Sequence, residues 1–128
     1  MIFVTGGAGL VGAALLKQLL QHNKGPIKAL YRNQLPVLLS KEELEKIQWV
    51  KGDVLDTSVL YEELKGCKQV YHCAAVVSYH QKRREQMYRI NIDGTANMVN
   101  ASLENGIEKF LQVSSVAAIG RIRKGEWV

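Results

Sequence analysis

The feature that most constrains the fold is a glycine-rich segment at residues 5–12 (TGGAGLVG), close to the start of the chain. It follows the apolar run Ile2–Thr5, which is typical of a short strand. It precedes apolar residues that recur at helical spacing from Leu10 to about His22, a pattern that predicts an amphipathic helix. A glycine-rich turn between a strand and a helix is the context in which such turns bind phosphate groups. We therefore expect a β-α unit whose connecting turn faces a ligand.

The alternation of short apolar runs and longer amphipathic segments continues along the chain. Connections of about 10 to 30 residues between strands indicate a parallel sheet with helices on both faces, because parallel strands need a long crossover. Right-handed crossovers make such a sheet doubly wound. The predicted strands are 2–5, 27–31, 48–50, 69–75 and 110–114, and the predicted helices are 10–22, 40–46, 58–65 and 81–104.

Three of the four glycines of the loop have separate predicted roles. Gly6 allows a sharp turn, Gly9 leaves room where a pyrophosphate comes close, and Gly12 lets the helix pack against the strand. The free N–H groups of Leu10 and Val11 would point at the phosphates, assisted by the helix dipole. A tight glycine turn without a ligand is the alternative. A nucleoside triphosphatase loop is excluded because no Gly-Lys-Ser/Thr follows.

Charge is distributed unevenly along the sequence. The net charge of +5 comes from 17 Lys and Arg residues against 12 Asp and Glu residues, and residues 1–41 contain no acid. Folds that bind NAD place an acid about 20 residues beyond the loop. Here Arg32 stands 20 residues past Gly12, and a guanidinium suits a 2′-phosphate, so NADP is favoured over NAD. A solvent-facing arginine at a strand end is the alternative.

Five motifs in order resemble the short-chain dehydrogenase/reductase superfamily, and in particular its extended branch, the NAD(P)-dependent epimerase/dehydratase family. They are TGGAGLVG at 5–12, GDVLD at 52–56, VYHCAA at 70–75, NIDGTAN at 91–97 and FLQVSSVAAIG at 110–120. Within that branch, the LYR at 30–32 and the AAVVS at 74–78 are most similar to the dihydroflavonol-reductase and hydroxysteroid-dehydrogenase group.

The resemblance implies a Rossmann-type doubly wound α/β fold with five parallel strands in the order 3-2-1-4-5. Residues 1–120 would form the amino-terminal part of the NAD(P)-binding domain, and 121–128 a basic tail that leads to an absent carboxy-terminal part. The fifth strand would then lie at an exposed edge with apolar surface left uncovered.

The resemblance also assigns residues to the cofactor. Asp53, with Val54 beside it, would contact the adenine, whereas a plain turn residue is the alternative reading of Asp53. Ala74 and Ala75 would lie beside the cofactor ribose.

The motif at 91–97 gives two further residues, and the motif at 70–75 gives a third, His72. Asn91 belongs to the cofactor-binding set through a structural hydrogen bond to a neighbouring strand, with a solvated asparagine as the alternative. Gly94 costs about 1 kcal/mol relative to alanine within a helix, which indicates close packing. His72 is interpreted as a buried core histidine rather than a base.

Catalysis in this superfamily needs a serine together with a Tyr-x-x-x-Lys pair that transfers the proton. The serine corresponds to Ser115, which would hydrogen-bond a substrate carbonyl or act only as a cap. The pair lies beyond the serine in the family, but this sequence has only Tyr61–Lys65, at the wrong place, and ends at Val128. We therefore expect the chain alone to be inactive.

The expected function is the NAD(P)-binding part of an oxidoreductase or epimerase. It would act by hydride transfer on a small carbonyl, alcohol or nucleotide-sugar substrate. A dinucleotide-binding or sensing module without catalysis is the alternative. A nucleic-acid partner is disfavoured because the basic runs at 82–84 and 121–124 lack interleaved aromatic residues.

Composition bounds the remaining possibilities. No apolar run approaches the roughly 20 residues that span a bilayer, and the start of the chain does not resemble a signal peptide, so we expect a cytoplasmic protein without a membrane partner. Cys67, Cys73 and the histidines lack a metal-ligand spacing. The resemblance allows a homodimer through the helix at 81–104.

Overall fold

A five-stranded parallel sheet forms the centre of the molecule. In this computed structural model, which describes residues 1–120, the strands are β1 (Ile2–Thr5), β2 (Ile27–Tyr31), β3 (Ile47–Lys51), β4 (Gln69–His72) and β5 (Lys109–Gln112). Their order is β3-β2-β1-β4-β5, and each neighbouring pair is parallel. The predicted fold and strand order are confirmed. The predicted basic tail lies outside the described residues.

Helices connect the strands and cover both faces of the sheet. They are α1 (Leu10–Gln21), α2 (Lys41–Glu45), α3 (Thr57–Glu63), α4 (Arg84–Tyr88) and α5 (Gly94–Glu104), with 3₁₀ turns at Gln81–Arg83 and Val116–Ile119. Ser40 caps α2 through a capping box with Glu43, as its position before the predicted helix suggested. Within residues 1–120, no helix has the length and apolarity needed to cross a membrane.

Two hydrophobic cores lie on opposite faces of the sheet. Successive side chains of a strand point to opposite faces, so Val4 packs in the cluster that contains Leu16 of α1. Phe3 packs instead in the cluster that contains Leu60 of α3 and Met98 of α5. Because both faces are covered, β1 is buried along its whole length, and its first three residues are all apolar rather than alternating with polar ones.

The sheet reverses its direction of growth at β1. The chain passes from β1 to β2 and β3 on one side, and then returns to β4 and β5 on the other. Ligands of doubly wound folds bind at such a switch point, outside the carboxyl ends of the strands. The topology therefore indicates a ligand site at the segments that follow β1 and β4.

Strand β4 ends at His72, three residues before the end predicted at Ala75. Its neighbour β1 ends at Thr5, where Gly6 turns the chain away with a φ of 71°. Beyond that turn, β1 no longer runs beside the chain that follows β4. The backbone N–H and C=O groups of that segment therefore need other hydrogen-bond partners.

The predicted helix at 81–104 is present but is not uniform. Between α4 and α5 the chain makes a π-helical turn at Arg89–Asp93, and such turns occur frequently at functional sites. The turn contains Ile90, which is buried, and Asn91, whose side chain bonds the segment after β4. The helix ends at Asn105, and Gly106 follows with a φ of 64°, in agreement with the predicted stop.

Strand β5 lies at the edge of the sheet, as predicted, and ends two residues before the predicted Ser114. Its burial is low, and Leu111 is 39% exposed. Leu103 on α5 is 74% exposed. Apolar side chains are therefore uncovered at this end of the described residues.

Candidate functional site

The glycine loop is folded tightly on itself. Gly6 has a φ of 71°, and a Cβ added there would lie 2.6 Å from backbone atoms of Cys73 and Ala74. A Cβ at Gly12 would lie 2.1 Å from the carbonyl oxygen of Gly6. Contacts this short with backbone are not relieved by a side-chain rotation. Gly6 and Gly12 are therefore required by the packing of the loop against β4 and α1.

Gly9 is a different case, because nothing in residues 1–120 excludes a side chain there. Its φ of −81° and ψ of 171° are open to any residue. A Cβ would lie 3.4 Å from its nearest neighbour, the carbonyl oxygen of Gly6, which is ordinary contact. A glycine at this position therefore keeps open space beside the loop rather than avoiding a clash within it.

Helix α1 begins at this open space. Gly9 is its N-cap residue, no side chain caps this end, and its first turn contains no acid. The N–H groups of Leu10 and Val11 have no intrahelical acceptor, as at every helix start. Both residues are more than half exposed. The partial positive charge of the helix end is therefore accessible to an anion.

A cleft of about 260 Å³ opens at the carboxyl ends of the central strands. We call it the glycine cleft. Its volume is near the lower end of the range of about 300 to 1,000 Å³ typical of small-molecule sites. Seven of the predicted binding residues line it, namely Gly6, Gly9, Arg32, Asp53, Val54, Ala74 and Ala75. The predicted residues outside its wall are Leu10, Val11, Gly12, Asn91 and Ser115.

Further residues of the wall were not predicted. They are Ala8, Leu30, Tyr31, Gly52, Cys73, Val76 and Ile90. Most of them are next to a predicted residue in the sequence, and this adjacency could have been used to predict them as wall residues. Ile90 precedes the predicted Asn91, but it reaches the cleft through the π turn, which the sequence pattern did not predict. Burial raises the pKa of the Cys73 thiol, so Cys73 is a neutral wall residue rather than a thiolate.

Arg32 and Asp53 face each other at the mouth of the glycine cleft. The Arg32 Nη1 atom lies 3.8 Å from the Asp53 Oδ2 atom, and both side chains are at least a third exposed. The other carboxylate oxygen, Oδ1, accepts a hydrogen bond from the Leu55 N–H at 3.0 Å. Asp53 therefore closes a local turn while it stays available at the cleft. The long ion pair leaves the guanidinium of Arg32 only loosely engaged.

A buried chain of hydrogen bonds supports the cleft wall beneath Ala74. The Ala74 N–H donates to the Thr5 Oγ1 atom at 3.3 Å, and that hydroxyl lies 2.6 Å from the Nδ1 atom of His72. The Nε2 atom of His72 lies 3.2 Å from the hydroxyl of Thr95 on α5. One neutral tautomer satisfies all these groups, with Thr5 donating to Nδ1 and Nε2–H donating to Thr95.

His72 is fully buried, and this burial lowers its pKa to about 4. The interpretation of His72 as a core histidine is confirmed. Its function here is to join β1, the segment after β4 and α5. A neutral, buried imidazole that is hydrogen-bonded at both nitrogens is not free to act as a base.

Side chains of the motif at 91–97 attach the helix to the segments at Val54 and Val76, which both line the glycine cleft. Asn91 donates from Nδ2 to the Val76 carbonyl and accepts from the Val76 N–H through Oδ1, both at 2.8 Å. Asn97 donates to the Val54 carbonyl at 3.1 Å. A Cβ at Gly94 would lie 2.6 Å from the Val54 side chain, in agreement with the predicted close packing. Asn91 thus holds cleft backbone in place, and both its polar atoms are used in doing so.

Ser115 lies beyond β5 and caps the 3₁₀ turn at Val116–Ile119. Its Oγ atom accepts a hydrogen bond from the Ala117 N–H at 3.3 Å. The side chain is exposed and does not line the glycine cleft. Within residues 1–120, Ser115 makes the contacts of a cap residue. Its catalytic role stays a prediction.

Solved structures with the same fold carry a dinucleotide. The chain is similar to MoeE5 in complex with UDP-glucose and NAD, with a TM-score of 0.77 and 25% identity over 93% of this chain and 38% of that one. It is also similar to a short-chain dehydrogenase/reductase superfamily protein from Agrobacterium tumefaciens with bound NAD, with a TM-score of 0.74 and 27% identity over 90% and 32% of the two chains. The fold and the cleft thus define a protein of the extended short-chain dehydrogenase/reductase class.

Sequence comparison places the chain within that class. The model of the 3-beta hydroxysteroid dehydrogenase/isomerase family matches residues 3–128, and the chain belongs to this family. A putative dihydroflavonol 4-reductase from Synechocystis sp. is 41% identical over 119 residues, which are 92% of this chain and 33% of that protein. The resemblance found in the motifs is confirmed. The chain spans about a third of the length of the curated relatives that it matches.

Proposed function

We propose that the chain is the dinucleotide-binding part of an NAD(P)-dependent oxidoreductase or epimerase, and that it prefers NADP. The observation that carries this proposal is the open space at Gly9, beside the uncapped start of α1 and inside the glycine cleft. A bound nicotinamide dinucleotide supplies hydride exchange with a substrate carbon. The residues of this chain bind and orient it.

The cleft residues fit the parts of such a cofactor. The pyrophosphate would lie over Gly9 and against the N–H groups of Leu10 and Val11, where the helix dipole favours negative charge. The adenine would lie beside Asp53 and Val54, and Asn91 would contribute by holding the segment at Val76. The ribose would lie beside Ala74 and Ala75, whose small side chains leave the wall open.

Arg32 supports the preference for NADP. It stands at the end of β2, where NAD-binding folds carry an acid that holds the ribose hydroxyls. A guanidinium recognises phosphate through paired hydrogen bonds. Its ion pair with Asp53 is long enough to be exchanged for a phosphate contact.

The substrate of the whole protein would be a small carbonyl, alcohol or nucleotide-sugar compound, with Ser115 hydrogen-bonded to its reacting oxygen. We propose that residues 1–128 alone do not turn over substrate, since no Tyr-x-x-x-Lys follows Ser115 in this sequence. Oxidation of NADPH by the 128-residue chain with carbonyl substrates would contradict this. A dinucleotide-binding module without catalysis is the second candidate, because the glycine cleft would bind the cofactor in either case.

Binding is the direct test of the proposal. We expect NADP to raise the melting temperature of the chain in a concentration-dependent manner, because a ligand that binds only the folded state stabilises it. NAD should give a smaller shift at the same concentration, and inorganic tripolyphosphate, which has no adenosine, serves as a control for nonspecific anion binding. No shift with either dinucleotide would overturn the proposal and its alternative together.

Replacing Arg32 tests the cofactor preference. Arg32→Glu should weaken NADP binding by at least about tenfold, because it removes a phosphate ligand and adds a repelling charge. NAD binding should be retained, since an acid at this position suits ribose hydroxyls. Isothermal titration calorimetry measures both affinities. Lys24→Glu makes the same charge change at an exposed site away from the cleft. Equal losses for NADP and NAD would refute the role of Arg32.

A further inference from the structure

A second cleft of about 370 Å³ adjoins the glycine cleft on its outer side. We call it the outer cleft. The two clefts share Arg32, Asp53 and Ile90 in their walls, so they adjoin at these three residues. The far wall of the outer cleft consists of residues from the 3₁₀ turn, α4 and the π turn, among them Lys82 and Arg89.

The outer cleft carries an excess of positive charge. Among its described wall residues, Arg32, Lys82 and Arg89 are cationic, whereas Asp53 and Glu85 are acidic. One of the acids, Asp53, already accepts a hydrogen bond from its own turn and lies 3.8 Å from Arg32. A concave site with converging cations attracts an anion more strongly than a flat surface does.

The position of Arg89 is held by the fold. Its neighbour Ile90 is 5% exposed and packs in the same core cluster as Leu30 and Val54. Because Ile90 is held there, the backbone of the π turn places the exposed Arg89 in the wall of the outer cleft. The hydrogen bonds of Asn91 to Val76 hold the next residue of the same turn.

We infer that the outer cleft is a two-sided phosphate subsite, in which Lys82 and Arg89 face Arg32 across the phosphate on the adenosine ribose of NADP. This inference rests on the proposed function and extends it, because it adds a second wall of specificity residues from the 82–90 segment. The phosphate would displace the loose Arg32–Asp53 contact. Glu85 would oppose the same phosphate through its negative charge.

The experiment uses 2′,5′-ADP and 5′-AMP as probes, which differ only by the phosphate in question, with affinities measured by calorimetry. Arg89→Gln and, independently, Lys82→Gln should each weaken 2′,5′-ADP by about tenfold and leave 5′-AMP unchanged. Glu85→Gln should tighten 2′,5′-ADP. Arg84→Gln is the matched control, because Arg84 lies on α4 between Lys82 and Arg89, contacts Tyr88 and does not line the outer cleft.

The outcomes separate this inference from the proposed function. If the unmodified chain binds neither NADP nor NAD, the proposed function fails. If it binds both probes but Arg89→Gln and Lys82→Gln behave like Arg84→Gln, only the two-sided subsite is refuted. An equal loss of 2′,5′-ADP and 5′-AMP would place Arg89 on the adenine instead and would also refute it. Circular dichroism and melting temperature verify that the variants remain folded.

Discussion

Replacing Gly12 by alanine is expected to destabilise the fold by about 3 kcal/mol and to abolish dinucleotide binding. The added Cβ would lie 2.1 Å from the Gly6 oxygen, 2.7 Å from its carbonyl carbon and 2.9 Å from the Gly7 Cα. All three are backbone atoms, so the overlap forces the loop away from α1, and overpacking of a buried site costs about 1 to 3 kcal/mol or more. Urea unfolding measures the loss, which is large against a typical total of about 5 to 15 kcal/mol.

Gly9→Ala is the matched variant, because it adds the same methyl group three residues away. Here the nearest atom is 3.4 Å distant and the backbone angles suit alanine. We expect a change of no more than about 1 kcal/mol in stability, the usual cost of a poor N-cap. NADP affinity should still fall by about tenfold or more, because the methyl group occupies the space of the pyrophosphate. Unchanged affinity in Gly9→Ala would show that the cleft does not hold a phosphate at this point.

Acidification is expected to remove about 3 kcal/mol of stability between pH 7 and pH 4 through His72 alone. Burial lowers its pKa from 6.5 to about 4 in the folded chain. In this window the unfolded chain binds the proton more tightly, so the stabilisation is complete above pH 6.5 and is lost as the pH falls. A lowering of the pKa from 6.5 to about 4 corresponds to about 3 kcal/mol as an upper limit.

The comparison that isolates this effect uses His72→Gln, which keeps a neutral hydrogen-bonding side chain. Urea unfolding at a series of pH values should give a flatter profile between pH 6.5 and pH 4 for this variant, although its stability at pH 7 is lower. His80→Gln removes an exposed histidine and should leave the profile unchanged. A profile of His72→Gln that is as steep as that of the unmodified chain would contradict a buried, neutral His72.

Much of the fold could be predicted because its signals are local. The strand and helix of the first β-α unit, the cap at Ser40 and the stop at Gly106 depend on residues within one or two turns of each other. The glycine loop was equally clear, since its spacing is read directly from the sequence. The strand order followed from the motifs, and the sheet has that order.

The site was harder to predict where it depends on distant segments. The end of β4 at His72 is decided by the turn at Gly6, nearly seventy residues away, which removes its ladder partner. Ile90 enters the cleft wall because the helix makes a π turn there, and nothing in its spacing announced that turn. Long-range contacts of this kind have no local signature.

The β-α-β alternation, the glycine loop and the basic character around Arg32 could be predicted from the residues alone, because they depend on apolar periodicity, glycine spacing and formal charge. The folded structure was needed to show which glycine leaves space for a ligand and which is required by packing. Gly12 abuts the Gly6 backbone, whereas Gly9 faces open space. The structure also placed Arg89 in the wall of the same cleft as Arg32 and Asp53. The physical reason is that the distance between residues far apart in the sequence depends on how strands and helices pack. That packing is set by the burial of apolar side chains on both faces of the sheet.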